Sequence, residues 1–364
     1  MIEIHTADLH FGAMDPKVQY EILTSQLTLK VRNLNFDAFF INGDIFHHKY
    51  MSNSDVIMYA SKFINDIVMI CIEKSATLVM LHGTGSHDAN QLKLFYHYIG
   101  TPGLDIRIVE TASFEDIKGT RVLCLPEQYG MGKEYYENFL KYGGVYDMAV
   151  LHGAIKGSIF GADKEDLDSA KAPVFSYDSF VNCRGPIICG HVHVSNCFND
   201  HIYYSGSPLR WQFGEEDPKG FIVLLLDPFT HQYYVHLEEI TSFKYCTYNL
   251  SDLTSMNPDQ IIREISLLKS RGVDYIKIKF DNANENTNIV KEYYKNSFDT
   301  VIDVENAEFV RAIQENQKIN DKYAQYNYIL DPNLSPDEIF VRYVNQQQGS
   351  QFITVDDLQK LLSE

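Results

Sequence analysis

The sequence predicts an α/β fold, in which short buried strands alternate with amphipathic helices. Apolar runs of strand length recur in the first part of the chain, at residues 2–8, 37–43, 77–81, 121–126, 147–153 and 186–191. Between the second and third runs, apolar residues recur at helical spacing, namely Val56, Ala60, Phe63, Ile64 and Ile67. This strand–helix–strand order predicts a largely parallel sheet with helices on its faces.

Three later segments predict antiparallel pairing. They cover residues 202–209, 220–227 and 232–239, and the last two are joined by the short turn "PFTH". A sheet that combines parallel and antiparallel strands favours an α/β sandwich over a simple doubly wound sheet.

A second folding unit is predicted to follow this region. Residues 258–272 read as an amphipathic helix that ends at a glycine, and residues 275–280 as an alternating strand. Residues 281–288 are polar and are predicted to form a loop. Capping boxes at residues 335–338 and 354–357 predict two terminal helices, which either pack as core or bind a partner.

Composition excludes several classes of protein. The net charge of −18 argues against a protein that holds nucleic acid through a broad basic surface. No apolar run approaches the length of a membrane span, and the N-terminal residues lack the features of a signal peptide. The six cysteines show no CxxC spacing, which predicts buried thiols in a reducing compartment, so the chain is expected in the cytoplasm.

Residues that commonly bind metals follow one predicted strand after another. In chain order they are Asp8 and His10, Asp44 and His47, His87 and Asp88, His152, and His191 and His193. Ligands of open α/β sheets bind at the carboxyl ends of the strands, so these loops are expected to converge. Aspartates combined with several histidines form a mixed oxygen and nitrogen site, which suits Mn, Fe or Zn. The alternative for each histidine alone is a capped or solvated residue at a strand end.

The motifs "DLH", "GDIFHH", "GSHD", "LHG" and "GHVH" resemble those of the calcineurin-like metallophosphoesterases, whose pattern is D-x-H, G-D, G-N-H-D/E, H and G-H-x-H. The segment "YYSGSPLRWQFGEEDPKGF" at residues 203–221 is similar to the SbcD group, the nuclease subunit of the SbcCD DNA-repair complex and its phage counterparts. This resemblance implies a four-layer α/β/β/α sandwich over residues 1–240 and a small α+β capping domain that contacts DNA at residues 241–300. It further implies an acidic or polar linker at residues 301–332 and, at residues 333–364, a helix pair that binds an SbcC-like ATPase.

The resemblance also implies roles for single residues. A first metal would be bound by Asp8, His10, Asp44 and His193, and a second by Asp44, His152, His191 and Ser86. The two divalent ions would be Mn²⁺, with Fe, Zn or Mg as alternatives. His87 would act on the scissile phosphate, His47 would face the substrate, and Asp88 would orient His87. The family pattern has asparagine where this chain has Ser86, so a weakened second site is expected.

The implied function is a metal-dependent DNA exonuclease or endonuclease. It would work as a homodimer with an SMC-type ATPase in DNA end processing, repair or recombination, in the host cytoplasm if a phage encodes it. Arg210 and Lys219 are candidates for contact with DNA phosphates, and the alternative for each, which is the commoner role of such residues, is a solvated surface charge. The alternatives are another metallophosphoesterase, such as a phosphatase or cyclic nucleotide phosphodiesterase, and a non-catalytic scaffold.

Overall fold

The computed structural model describes residues 1–158, 165–167, 172–227, 229–249, 257–280, 285–297, 299–304, 335–347, 354–357 and 360. The chain divides into two compact units, residues 1–247 with 267–276, and residues 248–266 with 277–364. Most of the predicted linker at residues 301–332 lies outside the described residues, as does most of the chain after the second capping box at residues 354–357. Strands and helices are numbered below in chain order.

The first unit contains a six-stranded sheet in the order β14-β13-β1-β2-β3-β4. Its strands are β1 (Ile2–Thr6), β2 (Ala38–Asn42), β3 (Thr77–Leu81), β4 (Asp105–Val109), β13 (Gly220–Leu226) and β14 (Tyr233–Glu239). The first four run parallel, while β13 pairs antiparallel with β1 and with β14. These pairings confirm the predicted parallel sheet and the predicted antiparallel pair at residues 220–239.

A second six-stranded sheet has the order β11-β12-β10-β7-β6-β5. Its strands are β5 (Ser113–Ile117), β6 (Thr120–Leu125), β7 (Met148–His152), β10 (Ile187–Gly190), β11 (Asn196–Phe198) and β12 (Ile202–Tyr204). The predicted antiparallel arrangement of β12 is only half right, because β12 runs parallel to β10 and antiparallel to β11. The hairpin turn that joins β11 to β12 contains Asn199 and Asp200, both with positive φ, a turn signal that the sequence reading missed. Two short strands, β8 (Ala154–Ile155) and β9 (Val174–Phe175), pair outside this sheet.

The helices of the first unit include the predicted stripe at residues 56–67, which lies in α3 (Asp55–Lys74). Three others were not predicted, namely α1 (Pro16–Ile22), α2 (Leu29–Asn33) and α4 (Lys133–Leu140). A π-helical segment, Leu23–Thr28, connects α1 to α2, and a 3₁₀ segment, Gln91–Tyr98, follows β3. The sequence does contain a signal for the start of α1, namely an aspartate followed directly by a proline. In the structure Asp15 is the N-cap and accepts hydrogen bonds from two backbone N–H groups, and Pro16 is the first helical residue.

The two six-stranded sheets share an apolar core. Phe40 and Val79 of the first sheet belong to one buried cluster with Val122, Val150 and Ile188 of the second. The strands that precede the polar loops therefore have fully buried, closely packed side chains. This packing holds the ends of the strands, and so the starting points of the loops, in place.

The remaining described elements are an α+β arrangement and one terminal helix. A three-stranded sheet has the order β15 (Tyr245–Asn249), β16 (Tyr275–Phe280) and β17 (Thr300–Val304), and its helices are α5 (Pro258–Ser270) and α6 (Glu285–Tyr294). The loop predicted at residues 281–288 is wrong from Glu285 onward, where α6 begins. The terminal helix α7 (Pro336–Gln347) starts at the predicted capping box, in which Ser335 and Glu338 exchange hydrogen bonds.

No helix among the described residues is long and apolar enough to cross a membrane. All six cysteines are free thiols. Cys71, Cys124 and Cys189 are buried, as predicted, and burial raises the pKa of each thiol. Cys197 is exposed and contradicts the expectation of uniformly buried thiols, because it lies on β11, the edge strand of the second sheet.

Candidate metal centre

The loops that follow the parallel strands meet at one edge of the first unit and hold the predicted metal-binding residues. Four of these residues have a backbone that non-glycine residues rarely adopt: φ is 52° at Asp8, 46° at His10, 54° at Asp44 and 86° at His191. Strained backbone of this kind clusters at functional sites, where the surrounding structure enforces it.

Backbone hydrogen bonds tie these loops together. The N–H of Asp8 donates to the Gly43 carbonyl at 3.1 Å, and the N–H of His191 donates to both carboxylate oxygens of Asp8 at 3.1 Å. Glycine is required where the loops come closest, since a Cβ at Gly83 would lie 2.2 Å from the backbone nitrogen of Asp44. These backbone contacts thus position the loops that carry the carboxylates and imidazoles.

One group of possible ligands consists of Asp8, His10 and His193, whose ligand atoms lie within 4.8 Å of one another. The Nε2 atoms of the two histidines are 3.1 Å apart. Burial lowers the pKa of His10 to about 2, so its imidazole is neutral and keeps a lone pair for a cation. Nδ1 of His10 is buried without a hydrogen-bond partner among the described residues.

A second group brings Asp44 and His152 together on the other side of the site. Nδ1 of His152 donates to the Asn42 carbonyl at 2.7 Å, which directs Nε2 toward Oδ2 of Asp44, 3.3 Å away. Burial would lower the pKa of His152, but Asp44, Asp8 and Glu127 raise it well above its ordinary value. The raised pKa favours a second proton on the His152 ring. The same carboxylates attract any cation, so a divalent ion would compete with that proton.

Glu127 is the acidic residue at this site that the sequence reading missed. It lies just after β6, in "LPEQYG", and it forms a group with His152 and His191 in which the ligand atoms lie within 4.8 Å. The signal was present in the sequence, because a carboxylate directly after a predicted strand is the pattern that identified Asp8 and Asp44.

Thr84, and not Ser86, provides the hydroxyl at the second group. Oγ1 of Thr84 lies 3.2 Å from Oδ2 of Asp44 and 3.3 Å from Nε2 of His152, whereas Ser86 is exposed. The physical reason is strand length: β3 ends at Leu81, so Gly83 and Thr84 occupy the first turn, and Ser86 lies two residues further along the loop. The geometry therefore does not support the predicted role of Ser86.

Substitutions at these two hydroxyls are expected to differ in effect. Thr84→Ala removes a polar atom that faces Asp44 and His152, and it should weaken binding of the second Mn²⁺ by about tenfold, the effect of a lost neutral ligand or outer-shell partner. Ser86→Ala is the matched control and should leave affinity within a factor of about two, since a surface side chain contributes little. Calorimetric Mn²⁺ titration measures both. Equal losses in the two variants would contradict the placement of Thr84.

Three further aromatic side chains surround His10 on the solvent side. The ring centroid of His10 lies 4.7 Å from that of His87, 5.4 Å from that of His47 and 5.4 Å from that of Trp211. Nδ1 of His87 donates to the His47 carbonyl, which leaves Nε2 of His87 free for an acid–base role. The structure thus brings both predicted catalytic histidines beside the first group of ligands. His48, the next residue after His47, is exposed.

Asp88 does not orient His87, and this prediction is wrong. Its two buried carboxylate oxygens accept hydrogen bonds from the backbone N–H groups of Asp44, Ile45, Phe46 and Gly83, at 2.8 to 3.1 Å. Burial and the nearby Asp44 raise the pKa of Asp88 to about 6, against the lowering effect of these donors. Asp88 therefore clamps the loop after β2 to the loop after β3.

Lys219 is also misassigned as a DNA contact. It is only 2% exposed, and its Nζ donates to the His193 carbonyl at 2.9 Å and lies 3.4 Å from the carboxylate of Glu215 and 3.1 Å from that of Asp217. The guanidinium of Arg210 donates to backbone carbonyls of the same loop, including that of Asp217. Both cations stabilise the loop that carries Trp211, because their charges are already paired with its carboxylates and carbonyls.

Comparison with known proteins gives no family assignment. No protein-family model matches the sequence, and no curated protein matches it. One solved structure has a TM-score of 0.40 and 14% identity, over 65% of this chain and 98% of that chain. Another, TT1561 of Thermus thermophilus, has a TM-score of 0.37 and 12% identity, over the same shares. Similarity at this level assigns neither a family nor a function to the chain.

Proposed function

We propose that this chain is a metal-dependent phosphodiesterase that cleaves DNA, a calcineurin-like metallophosphoesterase of the SbcD type. In this proposal the two sheets, their shared core and the helices on them form the four-layer α/β/β/α sandwich implied by the motifs. The capping domain, the linker and the terminal helix pair would follow it along the chain.

The position of Asp44 is the observation that carries the proposal. Its Oδ2 lies 3.7 Å from Nε2 of His10 in one group of ligands and 3.3 Å from Nε2 of His152 in the other. A carboxylate between two sets of imidazoles fits a ligand shared by two cations, and mixed oxygen and nitrogen donors suit Mn²⁺, Fe or Zn. When bound, such a pair of ions activates a water and stabilises the charge on a phosphoryl group under in-line attack.

The protein's own residues would place the substrate and move the proton. Nε2 of His87 is the ring nitrogen that the His47 carbonyl does not engage, so a His87 imidazolium can donate its Nε2 proton to the leaving oxygen and return to the neutral ring. The half-buried ring of Trp211 limits access of water to His10 from one side.

The charge distribution suggests that a partner supplies most of the affinity for DNA. The chain carries a net charge of −18, and the two cations nearest the site by sequence prediction, Arg210 and Lys219, are engaged within their own loop. In the proposal, an SbcC-like ATPase binds residues 333–364 and holds the duplex. Deletion of that segment should abolish association with the ATPase in a pull-down; undiminished association would contradict this part of the proposal.

A substrate comparison tests the function. With Mn²⁺, the full chain is expected to degrade linear duplex DNA, and His87→Ala should reduce this rate by about 10²-fold or more while both ions remain bound, as expected for loss of a general acid. His48→Ala is the matched control, an exposed histidine of the same cluster. Cleavage of a small phosphodiester with no cleavage of DNA would favour a phosphatase or cyclic nucleotide phosphodiesterase, and no cleavage of either would favour a scaffold.

A further inference from the structure

We infer that Glu127 is a ligand of the second cation and supplies the negative charge that the neutral hydroxyl of Thr84 cannot. This role rests on the two-metal site proposed above. Glu127 follows β6, a strand that contributes no other residue to the predicted ligand set, and it belongs to none of the motifs that predicted the site. The second cation would therefore be bound by a residue outside the family pattern quoted for this chain.

The environment of the Glu127 carboxylate favours a bound cation. The side chain is 0% exposed, and Oε1 accepts a hydrogen bond from the Tyr129 hydroxyl at 2.6 Å. Oε2 accepts none from any residue that the structure describes, although Nδ1 of His191 lies only 3.2 Å away. An ionised carboxylate buried with one oxygen unsatisfied is strongly unfavourable, and a cation between that oxygen and the imidazoles removes the penalty.

The two halves of the site become equivalent when Glu127 is included. The first half contains one carboxylate and two imidazoles, from Asp8, His10 and His193, and the second contains the same set, from Glu127, His152 and His191. Asp44 lies between the halves and serves both. Each cation then has one unshared carboxylate, one shared carboxylate and two imidazoles.

This composition changes the expectation for the second site. Without Glu127, the second cation would have the shared Asp44 as its only anionic ligand, beside neutral imidazoles and a hydroxyl. A carboxylate is a harder and more strongly attracting ligand than the amide of the family asparagine, so it favours Mn²⁺ and other cations that prefer oxygen. The second site is therefore expected to bind its cation about as firmly as the first.

Glu127→Gln tests the assignment by counting bound ions. The variant keeps the size of the side chain and one neutral oxygen, but it removes the charge. We expect the dissociation constant of the second Mn²⁺ to rise by about 100-fold, the upper end of the loss found when a partner of a metal site is removed. The first Mn²⁺ should bind as before, monitored by quenching of the single tryptophan, Trp211, whose ring lies 5.4 Å from that of His10.

Two controls separate this role from the proposed function. Glu134→Gln, an exposed glutamate on α4, should leave both affinities unchanged. Asp44→Asn should weaken both ions. If Asp44→Asn leaves both ions bound, the two-metal site itself is wrong. If Asp44→Asn weakens both ions but Glu127→Gln binds two with parental affinity, only the assignment of Glu127 is overturned.

A second variant covers the case in which Glu127→Gln fails to fold. Tyr129→Phe removes only the hydroxyl that donates to Oε1 of Glu127, and Tyr129 is 43% exposed, so the fold should tolerate the change. The second Mn²⁺ should then bind about tenfold more weakly, because an outer-shell partner of a ligand has been lost. Unchanged affinity for both ions in Tyr129→Phe would overturn the assignment.

Discussion

Asp44→Asn is expected to abolish nuclease activity and to weaken both cations together. The carboxylate faces Nε2 of His10 at 3.7 Å and Nε2 of His152 at 3.3 Å, so neutralising it removes the one anionic group common to both ligand sets. Loss of cation-derived transition-state stabilisation amounts to several kcal/mol, which corresponds to a rate decrease of about 10³-fold or more. Two measurements check this result: duplex degradation under saturating Mn²⁺, and Mn²⁺ titration followed by Trp211 fluorescence.

The fold of Asp44→Asn should survive, which makes the result interpretable. Asparagine keeps an oxygen that can accept from the Thr84 N–H, which donates to Oδ1 of Asp44 at 2.6 Å. Removing one carboxylate also reduces repulsion with Asp8, a neighbour whose own pKa is raised by burial and, to a smaller degree, by Asp44. Asp259→Asn, on the exposed side of α5, is the matched control. Selective loss of one cation, with the other unaffected, would contradict a shared ligand.

The sequence predicted which residues lie together at the site, but it did not predict which atoms each of them contacts. Asp8, Asp44 and His191 follow buried parallel strands and His152 is the last residue of another, and the shared direction of such strands brings their ends to one edge. That inference needs only the identity of each strand and the order of residues after it. It does not need the conformation of any loop.

Loop conformation is what the sequence could not provide. Ser86 matched the family spacing next to His87, but the chain turns immediately after β3 and leaves Thr84 at the second group. Glu127 was missed because no motif contains it, although its distance from the end of β6 resembles that of Asp8 from the end of β1. In both cases the deciding fact is where a backbone turn directs a side chain, and such turns depend on contacts between loops distant in sequence.

The contacts of the charged residues Lys219 and Arg210 could not be predicted from the sequence either. Lys219 and Arg210 read as surface cations near a phosphate site, yet the structure pairs Lys219 with Glu215 and Asp217, from the same short segment. The sequence "GEEDPK" contained both partners, but it gave no indication that the lysine would be buried at 2% exposure. Burial depends on the packing of this loop against the His193 carbonyl, which is a tertiary contact.

Asp88→Ala is expected to be the most destabilising single change at the site. Four backbone N–H groups, from Asp44, Ile45, Phe46 and Gly83, would lose their acceptor at a position where Asp88 is fully buried. Unsatisfied buried donors and the loss of hydrogen bonds to a charged group together predict a decrease of roughly 3–4 kcal/mol in the free energy of unfolding. Urea denaturation of the metal-free protein, followed by far-ultraviolet circular dichroism, measures this decrease.

Asp116→Ala provides the matched control, because this exposed aspartate accepts a single backbone N–H, from Gly119 at 3.0 Å, and should cost about 1 kcal/mol or less. If Asp88 instead acted only through His87, its removal would reduce activity while leaving the unfolding free energy near that of Asp116→Ala. If Asp88 instead holds the two loops together, metal-free Asp88→Ala should have a clearly lower free energy of unfolding than Asp116→Ala. Mn²⁺ should then restore part of that stability, since a cation bound at Asp44 holds the same loop from the other side.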